Sequence, residues 1–285
     1  MIMLNNNLRI FIVAAETQSL TEAAKKLYVS QPAISQAIKK LEEELNVKLF
    51  IRNKRSKLLL TDVGKEILSL AYKMADLENK LYQTAYDENH LTGGTVRIAS
   101  VPIGVNLILS YVLPVFKKQF PDVTVELLEG NPLEVKNMVL NYQADIGIST
   151  SPYIGLDHKV LMKDRMISIS RDNSVKINLN KEPEGLVLCR VAFESIQEQL
   201  SGQDVDLSHS LIVEAASTQI NMIENGNGIG IMSELMLSSI PNQLVRGTVT
   251  PKMEMEISLI THNFNELSTG AKEMSKMILE RYSDK

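Results

Sequence analysis

Residues 30–45 read SQPAISQAIKKLEEEL, a run in which Ile34, Ala37, Ile38, Leu41 and Leu45 recur at steps of three and four. That period belongs to an α-helix with one buried stripe. Ser30 stands where an N-cap is needed, and Pro32 falls in the first turn, where its missing N–H breaks no helical hydrogen bond. The opposite face carries Gln31, Ser35 and Lys39 at intervals of four, with Gln36 beside them. So short a helix is marginal alone, and whatever buries its stripe must leave that polar face open.

The preceding residues supply the packing. Leu4, Leu8, Phe11, Ile12 and Ala15 predict a first amphipathic helix ending near Gln18. Ser19 and Glu22 then form a capping-box pair that starts a short helix with Leu20, Ala23, Ala24 and Leu27 turned inward. Two short helices joined by the tight turn "YVS" make a helix-turn-helix. The second helix of such a unit can lie in a DNA major groove about 12 Å wide, where amide and hydroxyl side chains meet base edges and lysine reaches phosphate or guanine. Downstream, FIRNKRSKLLLT sets Arg52, Lys54, Arg55 and Lys57 in a polar turn between two apolar pairs, the pattern of a two-stranded wing with a cationic tip. Residues 1–60 hold ten Lys/Arg against five Asp/Glu, whereas the rest of the chain holds twenty against twenty-nine. The overall net charge of −4 therefore hides a basic head on an acidic body.

The stretch from Leu8 to Gly64, including Ala23, Ala24, Leu27, Ser30, Gln31, Pro32, Ser35, Ile38, Leu41, Glu42, Leu49, Phe50, Arg52, Arg55 and Thr61, resembles the winged helix-turn-helix of LysR-type transcriptional regulators. The interval between Phe50 and Thr61 is one residue longer than is commonest there. The resemblance implies double-stranded DNA as a partner and Ser30, Gln31, Pro32, Ser35, Gln36, Lys39, Arg52 and Arg55 as the contacting set.

Thr61 can cap a further helix, in which Val63, Ile67, Leu70, Met74, Leu77 and Leu81 alternate steps of four and three. A helix apolar only along such a heptad seam needs a partner, and a second copy of the chain is the simplest. In the family this is the linker helix of a homodimer, which can pair again into a dimer of dimers.

After LTGG at 91–94 the chain alternates strand and helix patterns, the signature of an α/β body with parallel sheets and crossover helices. The order resembles the family's two-subdomain effector domain, itself similar to periplasmic solute-binding proteins. Residues 1–61 are thus expected to form the head, 62–90 the linker helix and 91–285 the effector domain. Its first subdomain is expected at 91–160 and 263–285, its second at 161–262. Ligands bind beyond the carboxyl ends of strands in such sheets. That points to Ser100, Val101, Pro102, Ile103, Gly130, Asn131, Ser149, Thr150, Ser217 and Thr218, and to Phe193, which could either floor the pocket or fill the core. Hydroxyls and helix N-termini there suit a small polar or anionic co-inducer.

The sequence has no G-x-S-x-G, P-loop or H-E-x-x-H, and its four histidines lack metal-ligand spacing, so no catalytic residue, metal or cofactor is expected. An enzyme or a transport solute-binding protein could share the α/β body, but the basic head fits neither. Gly226, Gly228 and Gly230 follow a helix and enter a strand, the reverse of a dinucleotide loop. The single Cys189 in LVLCRV excludes an internal disulfide and reads as a small buried hydrophobe. MIMLNNNLRIF lacks the features of a secretory signal and no run approaches a ~20-residue membrane span, so a cytoplasmic location is expected. RNA polymerase is a further partner implied by the resemblance.

Overall fold

The computed structural model describes residues 6–52, 58–86, 94–150, 153–181, 185–202 and 205–282. In the head, α1 (Asn6–Thr17), α2 (Leu20–Leu27) and α3 (Gln31–Leu45) are followed by the wing strands β1 (Phe50–Arg52) and β2 (Leu58–Leu60). Ser19 caps α2 by accepting from the Glu22 N–H, and Ser30 caps α3 by accepting from the Ala33 N–H. The reciprocal arm of the expected capping box is replaced, because the Glu22 carboxylate pairs at 2.8 Å with Lys25. Tyr28 and Asn46 close α2 and α3 in the left-handed conformation, which lets their N–H groups satisfy the last helical carbonyls. Ile34, Ile38 and Leu41 are buried as the stripe predicts, but Leu45 is exposed, since α3 ends there and the chain turns away toward the wing.

Strands β1 and β2 pair antiparallel with Phe50 opposite Leu60. The wing tip, including Lys54, Arg55 and Lys57, lies outside the described residues. Thr61 fixes the next helix, α4 (Asp62–Tyr86): its hydroxyl accepts from the Gly64 N–H at 2.9 Å and donates to the Lys48 carbonyl at 2.7 Å. Ile67 of the heptad packs on the head core, while Val63, Leu70, Met74, Leu77 and Leu81 remain exposed on the stalk.

The body runs β3 (Thr95–Ser100), α5 (Pro102–Gly104), a π-helical turn, α6 (Ser110–Gln119), β4 (Thr124–Glu129), α7 (Pro132–Leu140), β5 (Ile146–Thr150), β6 (Asp157–Ser170), β7 (Lys176–Asn178), β8 (Leu186–Cys189) and α8 (Arg190–Gln199). It continues with β9 (Leu211–Val213), α9 (Ala216–Glu224), β10 (Ile229–Ser233), α10 (Glu234–Ser239), β11 (Val245–Arg246), β12 (Thr248–Thr250), β13 (Glu254–Thr261) and α11 (Thr269–Tyr282). The main sheet has the order β4-β3-β5-β13-β6-β10-β8-β9. As expected, β3 pairs parallel with β4 and β5, and β8 with β9 and β10. The two strands that join the halves differ: β6 and β13 run antiparallel to each other and to their neighbours β10 and β5.

One apolar core forms around Val96, Ile98, Ile146 and Ile148 with α6, α7 and α11. The second half has two, one holding Leu186, Leu188 and Ile196 of α8, the other Ile169, Ile220 and Ile223 of α9, so its sheet is covered on both faces. Each fully buried Ile or Leu contributes roughly 1.5–3 kcal/mol. Leu161 belongs to the first core and Met166 to the second, so β6 itself crosses between them. Ile257, Leu259 and Ile260 already sit in the first core, because β13 pairs with β5. The chain therefore returns within β13, ahead of the boundary expected at residue 262.

Stalk and body meet where Lys73 lies over the Tyr142 ring at 5.0 Å and that ring stacks on His262 at 3.9 Å.

Candidate functional site

Gln31, Pro32, Gln36 and Lys39 are exposed on α3 and Ser35 is half-buried, so the polar set anticipated from spacing lies on one open face above a packed stripe. Lys39 lies 3.6 Å from Glu43, an exposed pair too weak to withdraw its charge from another partner. Tyr28 in the turn between α2 and α3 is 96% exposed, an aromatic beside this face that the spacing argument passed over. Its signal was a large ring at a position with no apolar periodicity.

The head is tied to wing and stalk by charge. Glu42 takes hydrogen bonds from Lys48 at 2.6 Å and from the Leu49 N–H at 2.8 Å. Burial works against its charge, but these donors and the Phe50 N–H outweigh it and hold the carboxyl below its ordinary value. On the stalk, the Tyr72 hydroxyl donates to Glu16 at 3.2 Å, and Glu16 also pairs with Lys26 at 3.0 Å. Burial, reinforced by that carboxylate, pushes the Tyr72 phenol up, so it remains a hydrogen-bond donor.

A cavity of about 440 Å³ opens between the two halves of the body. Val101, Pro102, Ile103 and Thr150, all anticipated, line it from the first half, and Ser217 from the second. Behind this wall Ser100 is fully buried and donates to the Val101 carbonyl at 2.9 Å, while Ser149 donates to the Pro132 carbonyl at 3.3 Å. Asn131 closes a full capping box with Glu134 on α7, and its neighbour Gly130 packs under Glu134. Neither they nor Thr218 reach the cavity wall. Phe193 does not floor the cleft but packs against the second-half core: Ala192 and Ser195 turn toward the cleft, whereas Phe193, Ile196 and Gln197 face a separate cavity on another side of α8.

Much of the wall was not anticipated. Met166, Met232, Met236 and Met255 line it together with Cys189, Asp164 and Glu214. Asp164 is buried and accepts from the N–H groups of Arg165 at 2.7 Å and Leu235 at 3.2 Å and from the Ser233 hydroxyl. Glu214 pairs with Arg190 at 2.8 Å. Burial pushes the Cys189 thiol up, which keeps it an inert wall atom. Helices α8 and α9 begin at the wall without a side-chain cap, leaving first-turn N–H groups there. Deeper in, Gln219 is fully buried on α9 and its amide nitrogen donates to the carbonyls of Val187 at 2.8 Å and Ile231 at 3.0 Å, bracing β8 to β10.

Residues 5–65 match the model of the bacterial regulatory helix-turn-helix protein, lysR family, and residues 89–283 match the LysR substrate binding domain. The chain belongs to the LysR family. It is a LysR-type transcriptional regulator with an N-terminal helix-turn-helix and an effector-binding domain. YoaU of Bacillus subtilis, an uncharacterized HTH-type transcriptional regulator, is 38% identical over 285 residues, spanning 98% of both chains. YvbU of the same organism, of the same description, is 30% identical over 284 residues, spanning 96% of this chain and 97% of that one. The fold matches a full-length OxyR variant from Pseudomonas aeruginosa with a TM-score of 0.68 at 18% identity, covering 98% of this chain and 94% of that one. It also matches full-length CbnR complexed with its target DNA, with a TM-score of 0.61 at 18% identity, covering 96% of this chain and 98% of that one. Both relatives are described as HTH-type transcriptional regulators. Among the described residues, no helix is long and apolar enough to cross a membrane, and no group of three or more His, Cys, Asp or Glu is placed to hold a metal ion.

Proposed function

We propose that Gln31, Pro32, Ser35, Gln36 and Lys39, with Ser30 at the helix start, address the major groove of an operator while Arg52 and Arg55 of the wing hold the adjacent backbone or minor groove. The observation that carries this is the open polar face of α3 above its buried stripe, on a head braced to both wing and stalk. Two heads joined by the seam of α4 read two half-sites, whose separation follows from the dimer's symmetry. A second pairing, into a dimer of dimers, and contact with RNA polymerase rest on family membership alone.

A small-molecule co-inducer in the cleft, touching Val101, Pro102, Ile103, Thr150 and Ser217, favours one arrangement of the two body halves. That preference shifts head separation and operator bending by linkage. Support comes from the cavity's position at strand ends and helix starts, where α/β sheets bind ligands. The test is selection of duplexes from a random pool by the full-length protein. Enrichment of a sequence with two symmetric half-sites is expected, and a pool that stays random after selection overturns the reading.

A further inference from the structure

We propose that the cleft is built for an uncharged, mostly apolar ligand of ring or branched-chain type with one hydrogen-bond acceptor. This rests on the reading of the cleft as the effector site and names the class of molecule it takes.

The wall decides it. Fourteen of its twenty-one residues are apolar, and among the described residues no Lys, Arg or His lines it. The charges on the wall are two carboxylates, Asp164 and Glu214. A ligand carboxylate would be stripped of water beside like charge with no cationic side chain to pair it, leaving only the first-turn N–H groups of α8 and α9 to offset the loss. Neither Arg190 nor Arg165 lines the wall; the first pairs with Glu214 at 2.8 Å and the second with Glu234 through two hydrogen bonds of 2.6 and 3.1 Å. A ligand ammonium group fares little better, because Asp164 is occupied by the Arg165 and Leu235 N–H groups and the Ser233 hydroxyl, and Glu214, 80% exposed through its side chain, is screened by water.

What the wall does offer is soft apolar contact and a few neutral donors. Four methionines converge here, drawn from β6, β10, α10 and the start of β13, and their unbranched thioethers adapt to the shape of a ring or chain. The uncapped starts of α8 and α9 present backbone N–H groups that can hold one carbonyl, ether or hydroxyl oxygen. The volume of about 440 Å³ suits a compact molecule held largely out of water.

Three probes with one ring system separate the classes: methyl 2-naphthyl ketone, 2-naphthoate and 2-naphthylmethylammonium, each titrated calorimetrically into the full-length protein at neutral pH. The ketone is expected to bind at least about tenfold more tightly than either charged probe. Ala216→Phe and Ser217→Leu, which fill the cleft from its α9 wall, should each weaken ketone binding by about tenfold or more. Thr150→Lys, which brings a cation to the wall, should turn the preference toward 2-naphthoate. Equal or tighter binding of a charged probe by the unaltered protein overturns the proposal, as does failure of all three to bind. Ketone binding that survives both filling variants removes it from this cavity. Duplex selection with the same preparations separates these failures from failure of the regulator reading, since it requires no ligand.

Discussion

Glu42 on α3 accepts a hydrogen bond of 2.8 Å from the backbone N–H of Leu49, tying the helix to the root of the wing. Lys48 completes the clamp at 2.6 Å, and Glu42 is only 10% exposed through its side chain. Because the folded carboxyl sits below its ordinary value, its contribution is present above the unfolded value and is lost as pH falls through the depressed folded one. Glu42→Gln should therefore destabilise the head by about 1–3 kcal/mol at neutral pH. That gap should close in acid, below the ordinary carboxylate value of ~4.3. Urea unfolding across this range checks both parts, and a gap that persists unchanged in acid would show that charge is not what holds the wing.

Lys39 and Gln31 share a face of α3 but should fail differently. Lys39→Ala removes a charge whose pairing with Glu43 at 3.6 Å is weak, so it remains available to phosphate. Its operator affinity should fall on every sequence, and the log–log salt dependence should flatten by about one unit. Gln31→Ala should relax base preference at one position with little change of slope. Fluorescence anisotropy over a salt series, on the selected duplex and on single-base variants of it, distinguishes the two.

The head was legible because its determinants are local. Caps at Ser19 and Ser30, the stripe Ile34-Ile38-Leu41 and the paired apolar ends of the wing each lie within a few residues of what they govern. Leu45 was misread because periodicity does not register where a helix stops covering the core. The cleft was legible by half. Val101, Ile103 and Thr150 lie at or within three residues of the carboxyl ends of β3 and β5, so chain order finds them. Met166 and Met255 arrive on the two crossing strands, and Asp164 is bound to Ser233 from a distant part of the chain. No spacing rule brings those together, since the antiparallel pairing of β6 with β13 is a tertiary outcome. Phe193 took the core rather than the pocket floor for a simpler reason, as one residue along a helix turns the side chain by about 100°.

Gly64 opens the stalk where three elements converge. A Cβ there would overlap the Leu49 carbonyl oxygen and crowd the Thr61 hydroxyl at 3.0 Å, and neither backbone nor cap can withdraw without loosening the wing. Gly64→Ala should cost about 2–4 kcal/mol, despite alanine's better helix propensity. Differential scanning calorimetry of the full chain should show the head transition shifted down and the body transition in place. An unshifted head transition would mean that the junction adapts at no cost.

The stalk makes the strongest demand for a partner. Leu70 and Leu77 are 57% and 63% exposed, one heptad apart, with Met74 between them at 50%. Ile67, on the same seam, packs into the head core. The seam therefore changes allegiance along its length: Ile67 stabilises the head, and Leu70, Met74 and Leu77 are the residues that a second copy would cover in the proposed dimer. Leu70→Glu combined with Leu77→Glu places like charges across the seam of a homodimer and removes its apolar burial, so sedimentation at micromolar concentration should find monomers with a normally folded head. Operator affinity should then fall by about 10²–10⁴, because the second half-site no longer benefits from tethering. Ile67→Glu is the control with the opposite signature, since it should unfold the head before dimerisation is at issue. Were the double variant to stay dimeric, self-association would have to run through the body, and the exposed stripe on α4 would need another occupant.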